Sequence, residues 1–167
     1  NVQDIFTGTG TISVLNLTHI TNIQTVSPAT DRIGCLNAQG SFTLSDCAVF
    51  TRSDTFPEEL STSEGICSFW DRTAEEHTES YYGRDMFALA CNERVGGLSE
   101  GERGPWYTIN GFNHPFVCTG RIGCTFETKR APENEGEVMP VWEYAYGAHQ
   151  LWGTPGYLHV VLVWEPI

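Results

Sequence analysis

The sequence predicts an all-β chain: a compact antiparallel β-barrel or β-sandwich stapled by three disulfides. Three observations predict it. Short runs rich in Thr, Val, Ile, Phe and Tyr recur along the 167 residues, punctuated by 17 glycines and eight prolines, the composition of strands joined by turns. Six cysteines, Cys35, Cys47, Cys67, Cys91, Cys118 and Cys124, form an even set without a CxxC pair, which reads as a disulfide framework and not a zinc site. The run Tyr157–Trp164 is apolar at Leu158, Val160, Leu162 and Trp164, and mostly apolar at the alternate positions. A strand of that kind is central and covered on both sides, or lines a barrel whose outside is also covered. Residues 1–167 are expected to form a single β domain, long enough to bury a core of its own.

In chain order, the expected strands are Phe6–Leu17, Ile20–Val26, Ile33–Leu36, Ser41–Leu44, Ala48–Arg52, Ile66–Trp70 and Met86–Cys91. Trp106–Ile109, Phe116–Cys118, Ile122–Thr128, Val138–Tyr146 and Tyr157–Trp164 complete the set. Gly8 and Gly10 flank Thr9 inside the first run, where a bulge is expected. One short helix is predicted in Thr73–Tyr82, where Glu75, Glu76 and Glu79 follow a threonine able to cap it. Asp54–Gly65 and Thr128–Glu137 read as long exposed loops. Gly153-Thr154-Pro155-Gly156 is a turn between Trp152 and the last strand.

Six cysteines permit 15 pairings. Cys118 and Cys124 enclose a glycine-bearing turn, and Cys35 and Cys47 flank another, so the expected set is sequential: Cys35–Cys47, Cys67–Cys91 and Cys118–Cys124. Disulfides persist in oxidising compartments, and the chain starts at Asn1, as expected of a mature form whose export signal has been removed. A secreted, extracellular protein is the expectation. Nine basic against 21 acidic residues give a formal charge of −12, which disfavours nucleic acid as a partner. The longest apolar run is too short to cross a bilayer as a helix, which needs about 20 residues. The chain is expected to insert into no membrane, to carry no cofactor or metal and to be a monomer.

No catalytic fingerprint stands out. The histidines His19, His77, His114, His149 and His159 lack metal-ligand spacing, and no GxSxG elbow or phosphate-binding glycine loop occurs. Glu75, Glu76 and His77 form the densest titratable cluster, read as a solvated face. His159 is read as a core histidine. Glu143, mid-strand, is the best single carboxylate for a hydrolase, although acidic pairs are easily found in so acidic a chain. Asn16 heads the sequon Asn16-Leu17-Thr18, but its strand parity groups it with Ile12 and Val14, which read as buried. Lys129 and Arg130 form a dibasic pair of the kind that processing proteases cut.

The tryptophans Trp70, Trp106, Trp142, Trp152 and Trp164 remain. Exposed, such rings stack on sugars or anchor interfaces; buried, they are core. The candidate ligand-binding set is Trp142, Tyr144 and Tyr146 on one strand face, with Trp152 and His149 beside them.

In size, acidity, six cysteines, β-rich texture and possession of a dibasic pair, the chain resembles the small secreted cysteine-rich proteins of filamentous fungi that include effectors and elicitors of plant cell death. The resemblance implies a secreted, non-enzymatic protein acting on a host protein or glycan, with the exposed loops as contact sites. Two readings stand beside it: a carbohydrate- or small-ligand-binding β protein, and a secreted hydrolase with carboxylate catalysts.

Overall fold

The computed structural model describes residues 6–17, 22–79, 86–109, 111–120, 123–143 and 154–167. Its strands are β1 (Gly8–Asn16), β2 (Arg32–Leu36), β3 (Phe42–Thr43), β4 (Phe50–Arg52), β5 (Leu60–Thr62), β6 (Gly65–Ser68) and β7 (Ala90–Asn92). They continue as β8 (Trp106–Tyr107), β9 (Cys118–Thr119), β10 (Phe126–Thr128), β11 (Trp142–Glu143) and β12 (Leu158–Pro166). Ten of them form one antiparallel sheet in the order β11-β10-β12-β1-β4-β5-β6-β7, with β2 and β3 branching from β1, while β8 and β9 pair separately.

The two nine-residue strands β1 and β12 are the spine of the sheet. They pair without interruption from Gly10 opposite Pro166 to Asn16 opposite Val160. Each forks along its other edge. β1 meets β4 at Gly8–Gly10 and β2 at Ser13–Leu15. β12 meets β10 at Leu158–Val160, and its Val163 bridges to Phe116 further on. Forking curls the sheet into a half-barrel. Its two ends approach through the Leu89 N–H, which donates to the Val141 carbonyl at 2.8 Å just ahead of β7 and β11. Gly10 sits at a close approach within the spine: a Cβ there would lie 2.7 Å from both the Glu165 carbonyl and the Trp164 ring.

Strand parity divides the burial into two cores. Ile12, Val14, Phe126, Val160, Leu162 and Trp164 face inward, with Phe42, Phe50, Phe69 and Trp106 filling the concave side. Leu15, Leu17, Val161 and Val163 face outward and are covered by Val26 and Phe116. β12 is therefore apolar on both faces because both of its faces are roofed.

The three disulfides are Cys35–Cys47, Cys67–Cys91 and Cys118–Cys124, the sequential set. Cys67 and Cys91 are directly opposed in the β6–β7 register, and Cys118–Cys124 ties a turn closed by a bridge between Thr119 and Gly123. Among the described residues no helix is long and apolar enough to cross a membrane.

Several local expectations are corrected. Ile20–Val26 is not a strand in its described part, residues 22–26: the Asn22 side chain accepts the Gln24 N–H at 3.0 Å and starts a 3-10 turn at Ile23–Thr25. Thr73–Tyr82 is not a helix across its described residues, 73–79. Asp71 captures the Thr73 N–H at 3.0 Å, and the chain then runs extended, with Glu76 bridged to Phe87. Asp54–Gly65 is only partly loop, since Leu60–Thr62 is β5 and Gly65 opens β6. The irregularity in β1 lies between Val14 and Leu15 in its pairing with β2, and not at Gly8–Gly10. Short helices at Pro28–Asp31 (α1) and Glu100–Arg103 (α2) were not foreseen.

Candidate functional site

Two groups of polar residues are organised beyond what the sheet requires. The first is buried. Glu127 of β10 lies opposite both Trp142 and His159, on the convex face of the sheet. An arm over residues 74–79 crosses this face, held by the Ala88 N–H to the Glu75 carbonyl at 2.9 Å and the His77 N–H to the Met86 carbonyl at 2.8 Å. It drives His77 onto Glu127, Nε2 to Oε1 at 2.6 Å. Thr154 completes the cluster, donating its N–H to Oε2 at 3.1 Å and its hydroxyl to Oε1 at 2.7 Å. The Glu79 N–H points at His77 Nδ1 from 3.3 Å. That nitrogen is therefore the acceptor, which assigns the ring proton to Nε2, donating to the carboxylate.

His77, Glu127 and Thr154 are 0, 1 and 2 % exposed. Burial pushes the Glu127 carboxyl up, but the hydrogen bonds from His77 and Thr154 outweigh it and hold the group below its ordinary 4.5. Tyr157 is raised to about 12 by burial and by the negative charges of Glu79, Glu127 and Glu75. The residue types are those of acid–base chemistry, yet the histidine is closed over by Trp142 and Tyr157, with ring centroids at 4.6 and 4.9 Å. The arrangement clamps the arm to the sheet.

The second group is open. Trp70 follows β6 and is 42 % exposed, whereas Trp106, Trp142 and Trp164 are each at most 1 % exposed. Its ring borders a cleft of about 300 Å³ whose apolar wall is Val95 and Leu98 and whose polar wall includes Asp71, Arg72, Thr73 and Arg94. Asp71 organises it. This carboxylate, 5 % exposed, accepts Asn92 Nδ2 at 2.7 Å, the Thr73 hydroxyl at 2.7 Å and Arg94 at 3.3 Å, besides the Thr73 N–H. Burial raises its pKa, but these donors prevail and hold it at about 2. The Arg94 side chain stays 63 % exposed. It also lines two neighbouring clefts, of about 390 and 380 Å³, that reach Val138 on one side and Glu64 on the other. Beneath them lies the Cys67–Cys91 disulfide.

Of the residues singled out in the sequence, Trp142 is buried, its indole N–H donating to the Glu75 carbonyl at 3.0 Å and its ring 5.8 Å from the Lys129 ammonium. Tyr144, Tyr146, His149 and Trp152 lie outside the described residues. Asn16 sits half-buried on the concave side, in one row with Val160, Phe126 and Glu143 across four strands; Thr18 of its sequon is outside the described residues. Glu143, half-buried in that row, is pushed up to about 7 by burial. Lys129 pairs with Glu75 at 2.8 Å, and Arg130 with Glu137 at 2.8 Å. His77, expected on a solvated face, is buried: a helix over Thr73–Tyr82 would point its polar face to water, whereas the extended arm turns this ring onto the sheet. Trp70 was visible as one of five tryptophans, but only tertiary structure separates the exposed ring from the buried ones. Among the described residues no cluster of three or more His, Cys, Asp or Glu could hold a metal ion.

The chain matches no protein-family model, no curated protein and no solved structure.

Proposed function

We propose that this chain is a secreted protein that acts by binding a host protein or glycan, and that its recognition face runs from Val138 past Arg94 to Trp70. The observation that carries the reading is Arg94. It is exposed, yet oriented by the buried Asp71, and it borders three adjoining clefts. An arginine held in place beside an exposed tryptophan is the pairing that dominates interface energetics. The strands beneath are cross-linked at Cys67–Cys91, so little is lost in ordering the face when a partner docks.

Binding fits better than catalysis because the acid–base cluster at His77 is closed to any substrate. Three disulfides suit an oxidising, extracytosolic compartment, and the resemblance to fungal effectors supplies the class of partner. The test is infiltration of purified protein into plant leaves, comparing wild type with a Trp70→Ala/Arg94→Glu variant of unchanged melting temperature. A response that the variant loses supports the reading. A response fully retained by the variant, or none at micromolar dose, counts against it. Turnover in a hydrolase screen, abolished by Glu143→Gln, would replace it with the carboxylate-hydrolase reading.

A further inference from the structure

We infer that the cleft beside Trp70 is a saccharide subsite that receives one uncharged pyranose ring on the indole face. The inference rests on the binding reading above and names the ligand class for part of that face.

The chemistry of the lining carries it. A pyranose has an apolar C–H face and a rim of hydroxyls, so its site needs a flat aromatic surface edged by hydrogen-bonding groups. Trp70 supplies the surface, continued by the half-buried Leu98, with the buried Val95 behind it. Thr73, Arg72 and Arg94 stand on the polar side of the same cleft. At about 300 Å³ the space lies at the bottom of the range of small-ligand clefts, about 300 to 1,000 Å³, which suits a single ring better than an extended chain.

The cleft is built in advance. The Trp70 N–H donates to the Ser68 hydroxyl at 2.9 Å, and that buried hydroxyl donates to the Glu102 carbonyl at 2.7 Å. This fixes the start of the Trp70 turn against α2. Asp71 fixes the other side through Thr73, Asn92 and Arg94. Its two oxygens thus already receive four donors, so the carboxylate serves to aim Arg94 and not to grip the ligand.

Charge selects against an acidic sugar. Arg72 and Arg94 are matched in the lining by Asp71 and Glu102, which leaves the cleft without net charge. The chain as a whole carries −12 and repels a polyuronate at long range.

The test uses the intact, disulfide-bonded chain with cellotetraose, chitotetraose and mannotetraose as neutral probes and tetragalacturonate as the acidic one. Saturation-transfer NMR and tryptophan fluorescence report binding. We expect at least one neutral probe to bind, Trp70→Ala to weaken it about tenfold, the size of a lost stacking contact, and Trp70→Tyr to restore most of the affinity. Arg94→Ala should weaken it as well, while Arg130→Ala should not. Absence of binding by every neutral probe at millimolar concentration overturns the inference. So does equal affinity in Trp70→Ala, or a preference for tetragalacturonate that fades with salt. The two readings fail separately. A leaf response that needs Trp70 and Arg94 without any sugar binding leaves the binding function standing and removes the subsite.

Discussion

His77 and Tyr157 stack face to face, their ring centroids 4.9 Å apart and their planes 5° from parallel. The contact joins the arm over residues 74–79 to the residue just ahead of β12, and the Glu127 carboxylate lies in the same buried cluster, held by hydrogen bonds from His77 and Thr154. Removing His77 takes one of three donors from the buried carboxylate, and removing Glu127 takes the acceptor from the His77 ring.

His77→Ala is expected to destabilise the fold by about 3 kcal/mol, because it leaves the buried carboxylate with only the two donors of Thr154 and opens a cavity against Trp142 and Tyr157. Glu127→Gln should cost less, on the order of 1–2 kcal/mol, since the amide keeps the shape and part of the hydrogen bonding. The pH dependence follows from the direction of the shift. Glu127 has a folded-state pKa below its ordinary 4.5, so its contribution is complete above that value and is lost as pH falls through the folded one. Urea unfolding from pH 7 down to 2 checks this. Wild type should lose stability below about pH 4.5, and Glu127→Gln should lose measurably less there.

Glu143 has the opposite sign. Burial raises it to about 7, so its ionised form opposes folding at high pH, and the penalty disappears as pH falls through 7 toward the unfolded value. Glu143→Gln is expected to stabilise the protein at pH 8 by on the order of 2 kcal/mol and to leave stability near pH 4 unchanged. Equal effects at both pH values would mean that the carboxylate is solvated in the folded state.

Replacing Cys67 and Cys91 together by serine opens the longest of the three disulfide loops, with a separation of 24 residues against 12 and 6. The chain-entropy model gives about 3.5 kcal/mol for this bridge and about 2.4 for Cys118–Cys124. Chemical denaturation of the two double variants should therefore rank them in that order.

The dibasic pair is exposed but restrained. Arg130 meets both oxygens of Glu137, at 2.9 and 2.8 Å, and Lys129 meets Glu75. Cleavage after Arg130 requires the loop to open locally. Glu137→Gln is expected to speed trypsin-type cleavage there several-fold, followed by intact mass, without altering the melting temperature by more than about 2 °C.

The longest strands were legible: β12 declares itself by apolar residues on both parities, and β1 by the length of its Thr-, Ile- and Val-rich run. Two of the disulfides were legible because Cys35–Cys47 and Cys118–Cys124 flank local turns, and Cys67–Cys91 followed as the remaining pair. The Thr73–Tyr82 segment was not. Its glutamates carry helix propensity, but the competing hydrogen bond from Thr73 to Asp71 and the pairing of Glu76 with Phe87 depend on neighbours that local pattern cannot supply. The same limit hid the Trp70 cleft. Asp71 lies 21 residues from Asn92 and 23 from Arg94 in sequence, and they meet only because β6 and β7 pair.

The spine has a consequence for how the molecule comes to exist. β1 and β12 stand at opposite ends of the described chain, yet each is the other's longest partner. All three covalent bridges link near neighbours, and none crosses that seam. Until residues 158–166 arrive, β1 can be flanked only along its β2 and β4 edge, and the inner core lacks Val160, Leu162 and Trp164. Pairing across so long a stretch of sequence is slow, whereas the bridged turns can form on their own. The chain should therefore pass through oxidation as a string of cross-linked loops, and close into a half-barrel only when its final strand zips beside its first.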